Sequence, residues 1–149
     1  MKRLVALALL VAGNALAEDE LSIPAADDWY RSAYAPLYLD KPWEKAAEIA
    51  GHFAEEVHVH GEEAGTVNSL QWMTGALEEW KIDGWLRSEL AGLDFELFNP
   101  RTASFKAKWR DYYSGGNIGY ECGWYLADFV DGKWQISEYA TIACGEHGL

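Results

Sequence analysis

Ile118–Val130 (IGYECGWYLADFV), Asp131-Gly132 and Lys133–Ala143 (KWQISEYATIA) read as two long strands joined by a two-residue turn. Asp-Gly suits the type I′ hairpin turn, whose two central residues both need positive φ. The turn pairs Val130 with Lys133 and, counting back, Cys122 with Thr141. On that register Trp134, Ile136 and Glu138 share one face, opposite Phe129, Ala127 and Tyr125. Glu121 lies further along the same face, opposite Ile142. Leu126, Trp124 and Tyr139 fall on the other face, so both sides of the hairpin carry aromatic residues. Moving toward the N-terminus, Ser88–Phe98 and Thr102–Tyr113 repeat the period-two pattern, separated by Asn99-Pro100 and closed by Ser114-Gly115-Gly116-Asn117. Strands this long exceed the usual five or six residues and predict a strongly curved sheet.

Before Gly84 the period changes. Ser22 can cap a first helix, with Pro24, Asp27 and Asp28 in its first turn. Tyr30, Ala33, Tyr34 and Leu37 recur at i, i+3, i+4 and i+7 until Pro36 kinks or ends the helix. A second helix restarts at Asp40-Lys41-Pro42 with Trp43, Ala46, Ala47 and Ala50 as its stripe, extended by Phe53. Val57-His58-Val59-His60 alternates as a short strand ending at Gly61. Gly65-Thr66 opens a third helix with Val67, Leu70, Met73, Leu77 and Trp80 on one face, stopped by Asp83-Gly84. Helices first and a meander afterwards give an α+β domain.

The 149 residues suit one domain, and 50% hydrophobic content with 14% aromatics can fill a core. A formal charge of −12, from 24 acidic against 12 basic residues, excludes a phosphate-neutralising surface and docking on an anionic membrane. Residues 1–17 have a signal-peptide layout: Lys2 and Arg3, an apolar run from Leu4 to Ala12, then Ala15-Leu16-Ala17 before the expected cleavage at Glu18. The mature domain, 18–149, is then expected in the periplasm or outside the cell. Export permits a disulfide between Cys122 and Cys144, the only cysteines. The hairpin register places Cys144 three positions past the partner of Cys122, on the opposite face, so a bridge needs a bulge or a bent strand end. Two buried thiols are the alternative.

Tyr34-Ala35-Pro36, the Phe53–Gly61 run (FAEEVHVHG) and Asp131-Gly132-Lys133-Trp134-Gln135-Ile136, taken with the element order, resemble the nuclear transport factor 2-like superfamily, which includes SnoaL-like, polyketide-cyclase-like domains. The resemblance covers nearly all of the mature chain. It implies a cone-like α+β barrel, with the N-terminal helices packed in the concave side of a strongly curved antiparallel sheet and an apolar pocket at its open end, among relatives that include isomerases, dehydratases, cyclases, hydrolases and non-catalytic proteins. In ketosteroid-isomerase-like members an aspartate base ends the first strand. Gly61, or His60 one position earlier, stands there in this chain. Tyr34, or Tyr30 a turn earlier, matches the helix-one tyrosine donor. Steroid-isomerase chemistry is not predicted.

The remaining candidates follow from chemistry. His58 and His60 share a strand face about 7 Å apart, and with Glu62 and Glu63 they make either a divalent-metal cluster, an acid–base pair or two uncoordinated exposed imidazoles. Glu121 and Glu138, placed among aromatics, are candidate proton carriers or else marginal carboxylates paired with Lys106, Lys108 or Arg110. Trp72 sits off the main stripe of its helix and can overhang a pocket mouth, with Trp134 and Ile136 as further wall. No cofactor and no resident metal are predicted. The function expected is an exported pocket protein for a small apolar or aromatic ligand. The alternatives are a small lyase, isomerase or hydrolase using Tyr30, Tyr34, His58, His60, Glu121 or Glu138, and a His-x-His metal protein. The aromatic outer hairpin face predicts a homodimer through the sheet.

Overall fold

A computed structural model describes residues 23–61 and 64–145. The signal segment, the Ser22 cap, Glu62 and Glu63 lie outside the described residues. Six strands form one sheet in the order β2-β1-β6-β5-β4-β3: β1 (Phe53–His60), β2 (Gly65–Asn68), β3 (Trp85–Asn99), β4 (Thr102–Tyr113), β5 (Ile118–Val130) and β6 (Lys133–Ile142). The sheet is curved, unclosed and mixed rather than wholly antiparallel, because β1 lies parallel to β6 with Phe53 beside Ile136 and His58 beside Glu138. A whole meander separates the two strands in sequence, and a connection that long permits parallel pairing.

The predicted first helix is three joined pieces: α1 (Ala26–Trp29), a π turn (Tyr30–Tyr34) and a 3-10 turn (Ala35–Tyr38). Pro36 supplies no N–H, and the backbone ladder widens just ahead of it. Tyr30, Tyr34 and Tyr38 all still turn inward and are buried. A 3-10 turn at Pro42–Lys45 leads into α2 (Ala46–Ala50), which buries Ile49 and leaves Ala47 exposed. Phe53 begins β1 instead of prolonging that helix. Gly65 to Asn68 is strand as well, with Val67 opposite Val57. The third helix, α3 (Ser69–Ile82), therefore starts late, where Asn68 Oδ1 accepts the Gln71 backbone N–H at 3.1 Å. Met73 and Leu77 are buried, whereas Leu70 is 49% exposed.

These helical segments lie on the concave face of the sheet. Tyr30 stacks on Phe105 with centroids 4.8 Å apart, and Tyr34, Ile49, Val57, Ala107 and Ile136 close the core around them. Each large side chain so buried contributes roughly 1.5–3 kcal/mol against conformational entropy. Trp134 is fixed in the same layer by donating its indole N–H to the Pro24 carbonyl at 2.8 Å.

The C-terminal hairpin departs from the simple register at one residue. Asp131 and Gly132 both have positive φ, and Phe129 pairs with Trp134 and Ala127 with Ile136 as the turn dictates. Ser137 is then bulged out, so Leu126 faces Glu138, Tyr125 faces Tyr139 and Cys122 faces Ile142. Every side chain beyond the bulge changes face. Cys144 now lies two positions past the partner of Cys122, on its own face, and the two form a disulfide with Cα atoms 5.3 Å apart.

Candidate functional site

Beyond the packed core the concave face opens into a cavity of about 160 Å³, bounded by the sheet, the Tyr34–Tyr38 turn and α3. Strand alternation dictates what the sheet contributes. On β4 the inward residues run Ala103, Phe105, Ala107, Trp109, Asp111 and Tyr113, small or apolar toward the core and polar at the open end. On β5 the same face carries Glu121, Gly123 and Tyr125. From the helices come Tyr34, Tyr38, Trp72, Met73 and Trp80.

Two carboxyls define the polar end. Asp111 is buried and sits opposite Ser88 on β3; Ser88 donates its hydroxyl to Asp111 Oδ1 and accepts the Trp85 indole N–H at 3.0 Å. Burial pushes the Asp111 carboxyl above its ordinary range, opposed by the Ser88 and Trp85 donors. Glu121 lies opposite Trp109 in the β4–β5 register and accepts a long bond from the Tyr139 hydroxyl at 3.4 Å. Its carboxyl is also raised, first by burial and then by the negative charge of Asp111.

The phenols supply donors rather than anions. Tyr34 and Tyr38 share a hydroxyl–hydroxyl bond of 2.9 Å, and Trp109 donates its indole N–H to the Tyr125 hydroxyl at 3.2 Å. Burial raises the Tyr34, Tyr38, Tyr125 and Tyr139 hydroxyls further above their ordinary value. All four stay protonated through the neutral range. Gly123 makes room for the arrangement: a Cβ there would stand 2.8 Å from the ring edge of Tyr125.

The sequence-derived candidates divide. Tyr34, Glu121 and Trp72 line the cavity. Tyr30 does not; its ring is core, and its buried hydroxyl makes no hydrogen bond of ordinary geometry among the described residues. Trp134 and Ile136 are likewise core and not cavity wall. Glu138 is moved by the Ser137 bulge to the convex face, where its carboxylate meets His60 Nε2 at 2.7 Å. His58 and His60 face the same way, rings 4.5 Å apart, so neither is a pocket group. Among the described residues no group of three or more His, Cys, Asp or Glu is arranged to hold a metal. Tyr139 moves opposite to Glu138, into the cavity wall. Asp111 was missed, although strict alternation from Ala103 puts a carboxylate on an apolar face, which is a legible signal. Ser88 and Tyr38 were missed too, the latter one helical repeat beyond Tyr34.

No family model matches the chain, and no curated protein does. Solved structures do. The chain is similar to a candidate scytalone dehydratase of Novosphingobium aromaticivorans, 14% identical, with a TM-score of 0.54 over 78% of this chain and 81% of that one. It is also similar to a candidate polyketide cyclase of Xanthomonas campestris, 16% identical, with a TM-score of 0.51 over 73% and 83%. A third likeness is to a nuclear transport factor 2-like protein of unknown function from Shewanella oneidensis, 11% identical, with a TM-score of 0.50 over 68% and 87%. The helices in the hollow of a curved six-stranded sheet and these structural likenesses agree: the chain has the nuclear transport factor 2-like fold.

Proposed function

We propose that the chain is an exported pocket protein that holds one small, flat, apolar or aromatic molecule between its helices and its sheet. The wall of the cavity carries the reading, since ten of its sixteen described residues are Trp, Tyr or Phe. Its volume of about 160 Å³ is close to the ~150 Å³ that admits benzene into an engineered core. A single ring is therefore the size class. Export rests on the layout of residues 1–17, and the Cys122–Cys144 disulfide is in keeping with an oxidising compartment. Benzyl alcohol added to the mature protein is expected to shift the Trp85 and Trp109 indole resonances. No shift at millimolar concentration overturns the reading. Intact mass of secreted protein tests export, and a chain still beginning at Met1 refutes it.

A second reading, a small lyase, isomerase or hydrolase, is favoured by one observation: Asp111 and Glu121 share the cavity with the Tyr38 and Tyr139 hydroxyls. A raised carboxyl beside a neutral phenol is suited to proton transfer. The dehydratase and cyclase descriptions of two structural neighbours support it. Solvent deuterium exchange into cyclohexanone above the buffer rate, abolished by Glu121→Gln, is its expected signature. Exchange unaffected by that substitution removes it.

We further propose that two copies pair through the convex face. Trp124 and Leu126 are half-buried there, with Lys106 and Arg110 on β4 to one side and Glu138 on β6 to the other. A two-fold axis over β5 sets the basic flank against the acidic one. Light scattering is expected to give a dimer mass that Trp124→Glu reduces to monomer; a monomer at tens of micromolar overturns it.

A further inference from the structure

The composition of the cavity wall narrows the ligand beyond its size, on the footing of the pocket reading above. Three lining residues are carboxylates, Asp83, Asp111 and Glu121, and none of the described lining residues is Lys, Arg or His. An anionic guest would meet like charge with nothing to balance it. A neutral ring would leave buried carboxyls facing hydrocarbon, a costly arrangement. A cation is favoured by both parts of the wall, because aromatic faces attract positive charge and carboxylates pair with it.

Geometry places the two parts side by side. Trp109 and Glu121 are register partners on adjacent strands, and Asp111 follows Trp109 by one inward step. Tyr38 packs on Trp109 with ring centroids 5.1 Å apart, and Tyr125 is hydrogen-bonded to the same indole. Aromatic rings and carboxyls thus line the same cavity, Trp109 beside Glu121 and Trp85, through Ser88, beside Asp111. We propose that the cavity is a site for a small organic cation, a protonated amine or quaternary ammonium on a body the size of one ring, with its charge toward Asp111 and Glu121. The elevation of both carboxyls by burial, and of Glu121 also by the charge of Asp111, fits this, since a bound cation offsets both causes. The excess of acidic residues over the whole chain, 24 against 12 basic, adds a long-range attraction of the same sign.

The experiment compares three ligands of one size and different charge on the mature protein: benzylammonium, benzyl alcohol and benzoate, each titrated at neutral pH and read by calorimetry. Benzylammonium is expected to bind about tenfold or more tighter than benzyl alcohol, the usual worth of a hydrogen bond to a charged group, with benzoate weakest. Glu121→Gln and Asp111→Asn are each expected to erase most of that preference, the ratio of benzylammonium to benzyl alcohol affinity falling toward one. If benzyl alcohol binds as tightly as benzylammonium, the cation site is refuted and the pocket stands. A cation preference that survives both substitutions also refutes the site. If none of the three binds, pocket and cation site fall together.

Discussion

Asp111 and Glu121 weaken the unliganded fold in a way that can be measured. Their carboxyls are raised in the folded chain, so the folded state holds protons that the unfolded state has released. Stability should therefore fall as pH rises from the ordinary carboxylate range through the raised values. Glu121→Gln and Asp111→Asn, which cannot ionise, are expected to raise the urea midpoint at pH 7 and to flatten that fall. A lower midpoint for both would contradict the account. Gly123 is constrained in the opposite sense. A methyl at 2.8 Å from the buried Tyr125 ring displaces it from the Trp109 indole. Gly123→Ala is expected to cost about 1–3 kcal/mol and to weaken binding of neutral rings. Unchanged stability and binding would show that the ring moves freely.

The elements differ in how plainly they are written. β4 and β5 are legible in the sequence to their observed limits, because long alternation bounded by Pro, Gly and Asn turns admits few alternatives. The Asp131-Gly132 turn was equally legible, since few dipeptides tolerate two positive φ values. What escaped was the bulge at Ser137, a residue with no side-chain feature that marks it. Its hydroxyl bonds to Asp128 Oδ2 at 2.9 Å, a contact that exists only once the sheet has formed. One shifted residue exchanged Glu138 for Tyr139 in the pocket and brought the cysteines to one face. The start of α3 is obscured for a related reason: Thr66 and Val67 continue the apolar spacing of the helix but are β-branched, and pairing with β1 decides their state. The disulfide closes a separation of 22 residues, and its loss through Cys122→Ala with Cys144→Ala is expected to cost about 3 kcal/mol. Thermal unfolding with and without reductant gives the same comparison. An unaltered melting temperature would make the bridge dispensable.

At the scale of the whole molecule, the pairing of the first strand with the last governs the order in which the fold can be completed. β3, β4 and β5 join neighbour to neighbour, but β1 has only the short β2 beside it until β6 arrives. A chain emerging N-terminus first presents Tyr30, Tyr34 and Phe53 long before Phe105, Trp109 and Ile136 exist to receive them. Closing so distant a pair is slow, and the waiting aromatic surface is prone to aggregate. A chain truncated before Lys133 is expected to lose amide protection throughout β1 and α3; retained protection in β1 would break this account. A nascent chain of this kind is expected to gain from a holding chaperone until β6 is released. Its yield on overexpression should therefore track chaperone supply more closely than native stability.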